Sequence, residues 1–215
     1  HRPMPADSDQ VRVVGVLARA QQDAVWTVLR DAGRLRAVLW EFYPAALRAF
    51  PNLHIASAVT VLAAAPTPIA AAALSEADLR ELLRTARYNA PRGLPGKLRA
   101  IFTAEQLHQP PAVEAAMGQV VTAIVATMAA TLTSIKDLEK ALDEHFGQHP
   151  DAEILRSQPG LGVVLGARVL GEFGDDPTRF ADAASRRAYA GSAPITRASG
   201  KARLVLVRRA RNKRL

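Results

Sequence analysis

The chain has 215 residues, 49% of them hydrophobic but only 5% aromatic, with no cysteine and a net charge of +8. That length allows one large core or two modest ones, and an alanine-rich, aromatic-poor composition favours closely packed helices over a thick β core. The lack of cysteine excludes a disulfide framework and a thiolate metal site, which is consistent with a cytoplasmic protein. No apolar run is expected to be long enough to cross a bilayer, the nearest, 56–65, being too short.

The first residue is His1, not Met, and His1-Arg2-Pro3-Met4-Pro5 has no apolar signal-peptide core, so the sequence reads as a piece of a longer frame or a processed chain. Asp7 or Ser8 is placed to cap a helix running from Asp9 towards Phe42. Val11, Val14, Leu17, Ala18, Val25, Val28, Leu29, Leu35, Val38, Leu39 and Phe42 form its apolar stripe. Gly33 is a candidate bend and Pro44 marks the end. Trp26 and Trp40 are expected as core or helix–helix anchors, since neither lies in a basic, groove-like context that would suit base stacking.

Short helices follow, punctuated by Pro51, Pro66 and Pro68. Ser75 and Asp78 have capping-box spacing at the start of another helix, which runs to about Tyr88. The loop 89–96 is the expected internal boundary, separating a helical region (1–90) from a long helical arm (91–150) and a carboxy-terminal domain (151–215). After a short helix at 97–102, Pro110-Pro111 opens a long helix ending near Phe146 or Gly147. Its apolar residues, from Val113 and Met117 through Ile124 and Met128 to Leu138 and Leu142, recur in steps of three and four. That spacing suits a coiled-coil-like arm, or a long helix packed within one core. His145 and His149 are four apart, but Gly147 and Pro150 end the helix between them, so no metal site is expected there.

The carboxy-terminal stretch holds all the net charge. Residues 196–215 contain eight basic side chains and no acid, leaving 1–195 with 20 basic and 20 acidic groups. Such a block suits a polyanion, since each neutralised phosphate releases counterions; the alternative is a solvated tail. Upstream, Pro159-Gly160-Leu161-Gly162 separates two apolar helical runs. A helix starting at Gly162 would aim free N–H groups at a phosphate, as in a helix-hairpin-helix that grips DNA through its backbone; the alternative is an ordinary helix corner. Glu172, Asp175, Asp176 and Asp182 are expected as caps and a solvated face more than as a magnesium site. Asp176, Thr178 or Asp182 is placed to cap a short helix that Gly191 ends, and residues 202–208 suit a short strand or an arginine-rich helix.

Taken together, the order PGLG…GARVLGEFGD…RFADA…YAGSAPITRASGKAR resembles the carboxy-terminal domain of the insertion-sequence transposases of the IS110/IS116 group, the bridge-RNA-guided serine recombinases. The likeness is strong from residue 159 onward and looser over the helices before it. It implies that Ser199, followed by Gly200 and Lys201, is the nucleophile that attacks a DNA phosphodiester and forms a phosphoserine link. A serine needs activation for this, and the transferred phosphoryl group needs positive charge around it. Arg197, Lys201 and Arg203 are the cations expected there, Gly200 allows close approach, and Arg208 and Arg209 extend the DNA-binding set with Gly160 and Gly162. Ser185 and Ser192 are rival hydroxyls without the Gly-Lys neighbour.

The resemblance further implies DNA and a guide RNA as partners, a homo-oligomer assembled through the long helix, no membrane, and Mg2+. In the family the metal ligands are carboxylates of an amino-terminal RuvC-like domain. Most of that domain is expected to be missing here, so this chain is expected to bind no metal and not to cleave DNA alone. The alternatives are a non-catalytic helix-hairpin-helix DNA-binding module, or a helical scaffold whose basic end meets nucleic acid incidentally.

Overall fold

The computed structural model describes residues 6–106 and 108–215; the expectation about His1–Pro5 lies outside them. The described residues form a mainly α protein, as composition predicts. Ten helices come first: α1 (Asp9–Phe42), α2 (Pro44–Ala49), α3 (Ala56–Ala64), α4 (Pro68–Ala73), α5 (Glu76–Thr85), α6 (Leu94–Thr103), α7 (Pro111–Gly147), α8 (Ala152–Arg156), α9 (Val163–Phe173) and α10 (Ala183–Ala190). An antiparallel pair, β1 (Ile195–Ser199) and β2 (Ala202–Leu206), closes the series.

Two compact units emerge. One is Asp23–Ile135; the other joins the residues up to Gln22 with Lys136–Leu215. In the first, Leu35, Leu39 and Phe42 of α1 pack with Tyr43, Leu62, Leu79, Leu83, Leu98 and Phe102, and with Val121, Ile124, Val125 and Met128 of α7. The predicted capping box forms: the Ser75 hydroxyl accepts from the Asp78 N–H at 3.1 Å, and the Asp78 carboxylate accepts from the Ser75 N–H at 2.9 Å. α6 starts three residues earlier than expected because Gly93 supplies a left-handed turn (φ 83°) and Pro95 suits the first helical turn.

Two expectations are corrected. Trp26 and Trp40 are not core residues but are 41% and 74% exposed, because the stripe through Val28, Leu35, Leu39 and Phe42 takes the buried side of α1. And α7 does contain a window long and apolar enough to cross a bilayer by length and composition. Residues 115–135 carry no charged side chain, their apolarity coming from alanine, valine, isoleucine and methionine spread among threonines. The same stretch contributes Val121, Ile124, Val125 and Met128 to the core.

The second unit has a smaller core of Val11, Val14 and Ala18 from α1, Leu142 and Phe146 from α7, Ala152 from α8, and Ala167 and Leu170 from α9. Here α1 and α9 cross backbone to backbone at Gly15 and Gly171. A Cβ on Gly171 would lie 2.6 Å from the Gly15 Cα, so only glycine fits. Ser8 caps α1, its hydroxyl accepting from the Val11 N–H at 3.2 Å. α10 has no fully buried residue; Tyr189 on it instead completes an aromatic cluster with Phe173 and Phe180, with centroids 5.4–5.9 Å apart.

Candidate nucleic-acid interface

The basic stretch folds into a hairpin. The pairs are Ile195–Leu206, Thr196–Val205, Arg197–Leu204, Ala198–Arg203 and Ser199–Ala202. Gly200 and Lys201 form the two-residue turn, with Gly200 in the first central position at φ 56°, the positive value that a type II′ connection asks of glycine there. Of the two conformations that suit 202–208, the strand forms, over 202–206, and Ser199 is the last residue of its partner strand.

Because opposite residues share a face and neighbours alternate, the register sorts the predicted site residues. Ser199, Arg197, Ile195, Ala202, Leu204 and Leu206 occupy one face; Thr196, Ala198, Arg203 and Val205 occupy the other. Arg197 thus stands beside Ser199, Arg203 points away from it, and Lys201 sits at the exposed tip. Ser199 is exposed, and no hydrogen bond to its hydroxyl is formed among the described residues. Apart from half-buried Ile195 and Leu206 the hairpin is solvent-facing, with Leu204, Val205 and the following Val207 58%, 61% and 72% exposed. Two open depressions share Arg197. One is lined by Thr196, Arg197, Ala198, Ser199, Ala202 and Leu204, the other by Ile195, Arg197, Leu206, Val207, Arg209 and Ala210.

The segment after β2 is anchored. Arg208 donates to the Ala193 carbonyl at 3.2 Å. Asn212 donates its side-chain amide to Glu172 (2.5 Å) and to the Tyr189 hydroxyl (2.8 Å), and its backbone N–H to the Tyr189 carbonyl (2.8 Å). Arg19 donates to both oxygens of Glu172, at 2.7 and 3.3 Å. Arg214 reaches Gln22 at 3.2 Å and the Arg19 carbonyl at 3.4 Å. Burial pushes the Glu172 carboxyl up, but the hydrogen bonds from Arg19 and Asn212 and the charges of Arg19 and Arg214 outweigh it and hold the carboxyl below its usual range. Arg168, which donates to Gln21 at 3.1 Å, is moved down by burial and by the nearby charge of Arg214. These residues lie far apart in sequence and carry no local pattern; only Glu172 stood out beforehand, as one of four acids.

The other three acids also have protein partners. Asp182 caps α10 by accepting from the Ser185 N–H at 2.7 Å, Asp175 accepts from the Ser8 N–H at 3.0 Å, and Asp176 accepts from the Thr178 N–H at 2.7 Å. His149 is buried; its Nδ1 accepts from the Asp151 N–H at 3.1 Å and its Nε2 lies 3.6 Å from Asp175. Among the described residues no group of three or more acids and histidines is arranged to hold a metal.

Gly160 and Gly162 occupy a separate element, the turn between α8 and α9. Gly160 is left-handed (φ 83°), whereas Gly162 is extended at the N-cap of α9, with no side chain capping that helix. Both are exposed, and a Cβ on either would meet nothing within 4 Å.

Residues 152–215 match the Transposase IS116/IS110/IS902 family. The whole chain is 49% identical to a Streptomyces coelicolor protein named "Mini-circle putative transposase for IS117", of which it covers 53%. It is 32% identical over 87% of its length to the "Insertion element IS110 uncharacterized 43.6 kDa protein" of the same species, covering 46% of it. It is 30% identical over 93% of its length to the "Insertion element IS900 uncharacterized 42 kDa protein" of Mycobacterium paratuberculosis, covering 50%. The chain spans about half the length of the curated relatives it matches. No solved structure matches it.

Proposed function

We propose that this chain, whose residues 152–215 match the IS116/IS110/IS902 transposase family, is the DNA-engaging part of an insertion-sequence transposase and that Ser199 is its nucleophile. The observation that carries this reading is the placement of Ser199: exposed at the end of β1, beside Arg197, in a stretch with no acidic residue. In the step proposed, Ser199 Oγ bonds to the phosphorus of a DNA phosphodiester as the bond to one deoxyribose oxygen breaks. The serine proton is lost, and the departing strand end takes up a proton to leave as a hydroxyl. Attack by a hydroxyl of another strand reverses the exchange, joins the new pair of ends and restores the serine. Arg197 is positioned to stabilise charge on the non-bridging oxygens.

Magnesium enters this reading only through the resemblance to the bridge-RNA-guided serine recombinases. The acids of 172–182 are engaged by protein partners and do not fit a metal site, so no step is routed through one. A guide RNA, self-association through α7 and a cytoplasmic setting belong to the same proposal. The uncapped, exposed start of α9 behind Gly160 and Gly162 supports a second reading, a helix-hairpin-helix module that holds DNA without cutting it.

One experiment separates the two. The protein, extended to the length of its relatives, is incubated with donor and target DNA, magnesium and candidate RNA, and covalent protein–DNA adducts are resolved on denaturing gels for wild type and Ser199→Ala. A wild-type adduct absent from the variant is expected. An adduct that persists refutes Ser199 as nucleophile. Salt-sensitive binding with no adduct in a folded wild type favours the module.

A further inference from the structure

We propose that the Ser199 face of the hairpin holds one unstacked nucleotide next to the phosphate under attack. Its base would lie in the depression floored by Ile195, Leu206 and Val207, and its flanking phosphates on Arg197 and Arg209. The inference rests on the DNA reading above and specifies the form of DNA taken.

The two depressions share Arg197, and Ile195, Arg197 and Leu206 of the second lie on the same face as Ser199. The one beyond Arg197 is an open depression of about 680 Å³. Its chemistry has two parts: an apolar floor, and an arginine on each side. Arginine donates in a planar fork that matches phosphate oxygens and also stacks on ring faces. From Ala183 to Leu215 there are ten basic side chains and no acid, so an anion meets no repulsive group of that segment.

An apolar floor distinguishes the forms of DNA. In an intact duplex the faces of the bases are covered by their neighbours in the stack, and a protein meets only base edges and phosphates. A surface that offers apolar area to a base face gains nothing from paired DNA, but it does gain from a base that has left the stack. Arg197 and Ser199 are one strand period apart on the same face, about 7 Å by strand rise. A nucleotide held between Arg197 and Arg209 would therefore set the next phosphate at the serine. The occupant is single-stranded or locally opened DNA at the point of exchange.

The 215-residue chain is titrated by fluorescence anisotropy with a labelled single-stranded oligonucleotide and with the matched duplex, each across a salt series. Val207 is 72% exposed, so Val207→Ser is compatible with an unchanged fold, verified by an unaltered thermal transition. The expected result is single-strand binding about tenfold or more tighter than duplex binding, with most of that preference lost in Val207→Ser. Arg209→Ala is expected to weaken both forms and reduce the salt slope by about one. Equal affinity of the wild type for the two forms, or a Val207→Ser variant that keeps the preference, overturns the proposal and leaves the DNA reading standing. A Val207→Ser change that only dissociates an oligomer, seen by sedimentation, assigns the depression to a second copy of the chain and also overturns it. Absence of salt-sensitive binding to either form removes the DNA reading itself.

Discussion

Glu172 collects hydrogen bonds from residues 153 positions before it and 40 after it, through Arg19 and Asn212. Its side chain is 5% exposed while that of Arg19 is 49% exposed. Breaking a fully buried pair costs about 3–5 kcal/mol because a charge is stranded. Here the guanidinium left behind regains water, so Glu172→Gln should cost less, about 1–3 kcal/mol near neutral pH. The carboxyl is held below its usual range in the folded chain. Its contribution is therefore complete above the ordinary glutamate range and is lost as pH falls through the lowered value. Urea unfolding should show a gap between wild type and Glu172→Gln at neutral pH that narrows on acidification; a gap that widens would contradict the assignment. None of this network could be read along the sequence. The Ser199 proposal rests instead on a contiguous pattern of turn, glycine and lysine neighbours, whereas the Glu172 contacts are made only through space.

At the scale of elements, the crossing of α1 and α9 makes a prediction of opposite signs at two helical glycines. Alanine is favoured over glycine in a helix interior by about 1 kcal/mol. At Gly33, where a Cβ meets nothing within 4 Å, Gly33→Ala should realise much of that gain. At Gly171 the new Cβ meets the Gly15 backbone at 2.6 Å, and backbone has little room to yield. Overpacking of that kind costs about 1–3 kcal/mol, so Gly171→Ala should be destabilising despite its better propensity. Denaturant midpoints of the two variants check both signs. Helices with strong punctuation were legible within a residue or two: α1 ends before Pro44, α5 opens on its capping box, and α7 begins at Pro111. The hairpin was half legible. The valines and leucines of 202–206 read as a candidate strand, but Ile195-Thr196-Arg197-Ala198-Ser199 has little hydrophobic alternation. The stronger signal was Gly200-Lys201 as a two-residue turn between equal runs.

At the scale of the molecule, the carboxy-terminal unit is discontinuous in sequence. Three of the eight buried residues in its core, Val11, Val14 and Ala18, come from α1, and two, Leu142 and Phe146, come from α7. A polypeptide of residues 152–215, the span of the family match, would retain only Ala152, Ala167 and Leu170 of that cluster. So small an apolar set is insufficient to offset chain entropy. Expressed alone, 152–215 should show no cooperative thermal transition by circular dichroism, whereas the full 215-residue chain should; a sharp transition in the short form would count against this. Helical periodicity located the apolar stripe of α1 but could not assign its first three turns to a partner more than 140 residues away. Amphipathic pattern specifies which face is buried, not what covers it.

The crossing at Gly15 and Gly171 also bears on synthesis. Proteins emerge from the ribosome in chain order, and domains usually complete themselves in that order. Here the opening turns of α1 leave more than 140 residues before α9, the helix that covers them. The nascent chain therefore carries Val11, Val14 and Ala18 uncovered by α9 while the intervening residues are made, in a state suited to chaperone capture. The hairpin that bears Ser199 is made directly after the helices that close this core, so it emerges on a chain in which Val11, Val14 and Ala18 can already be covered.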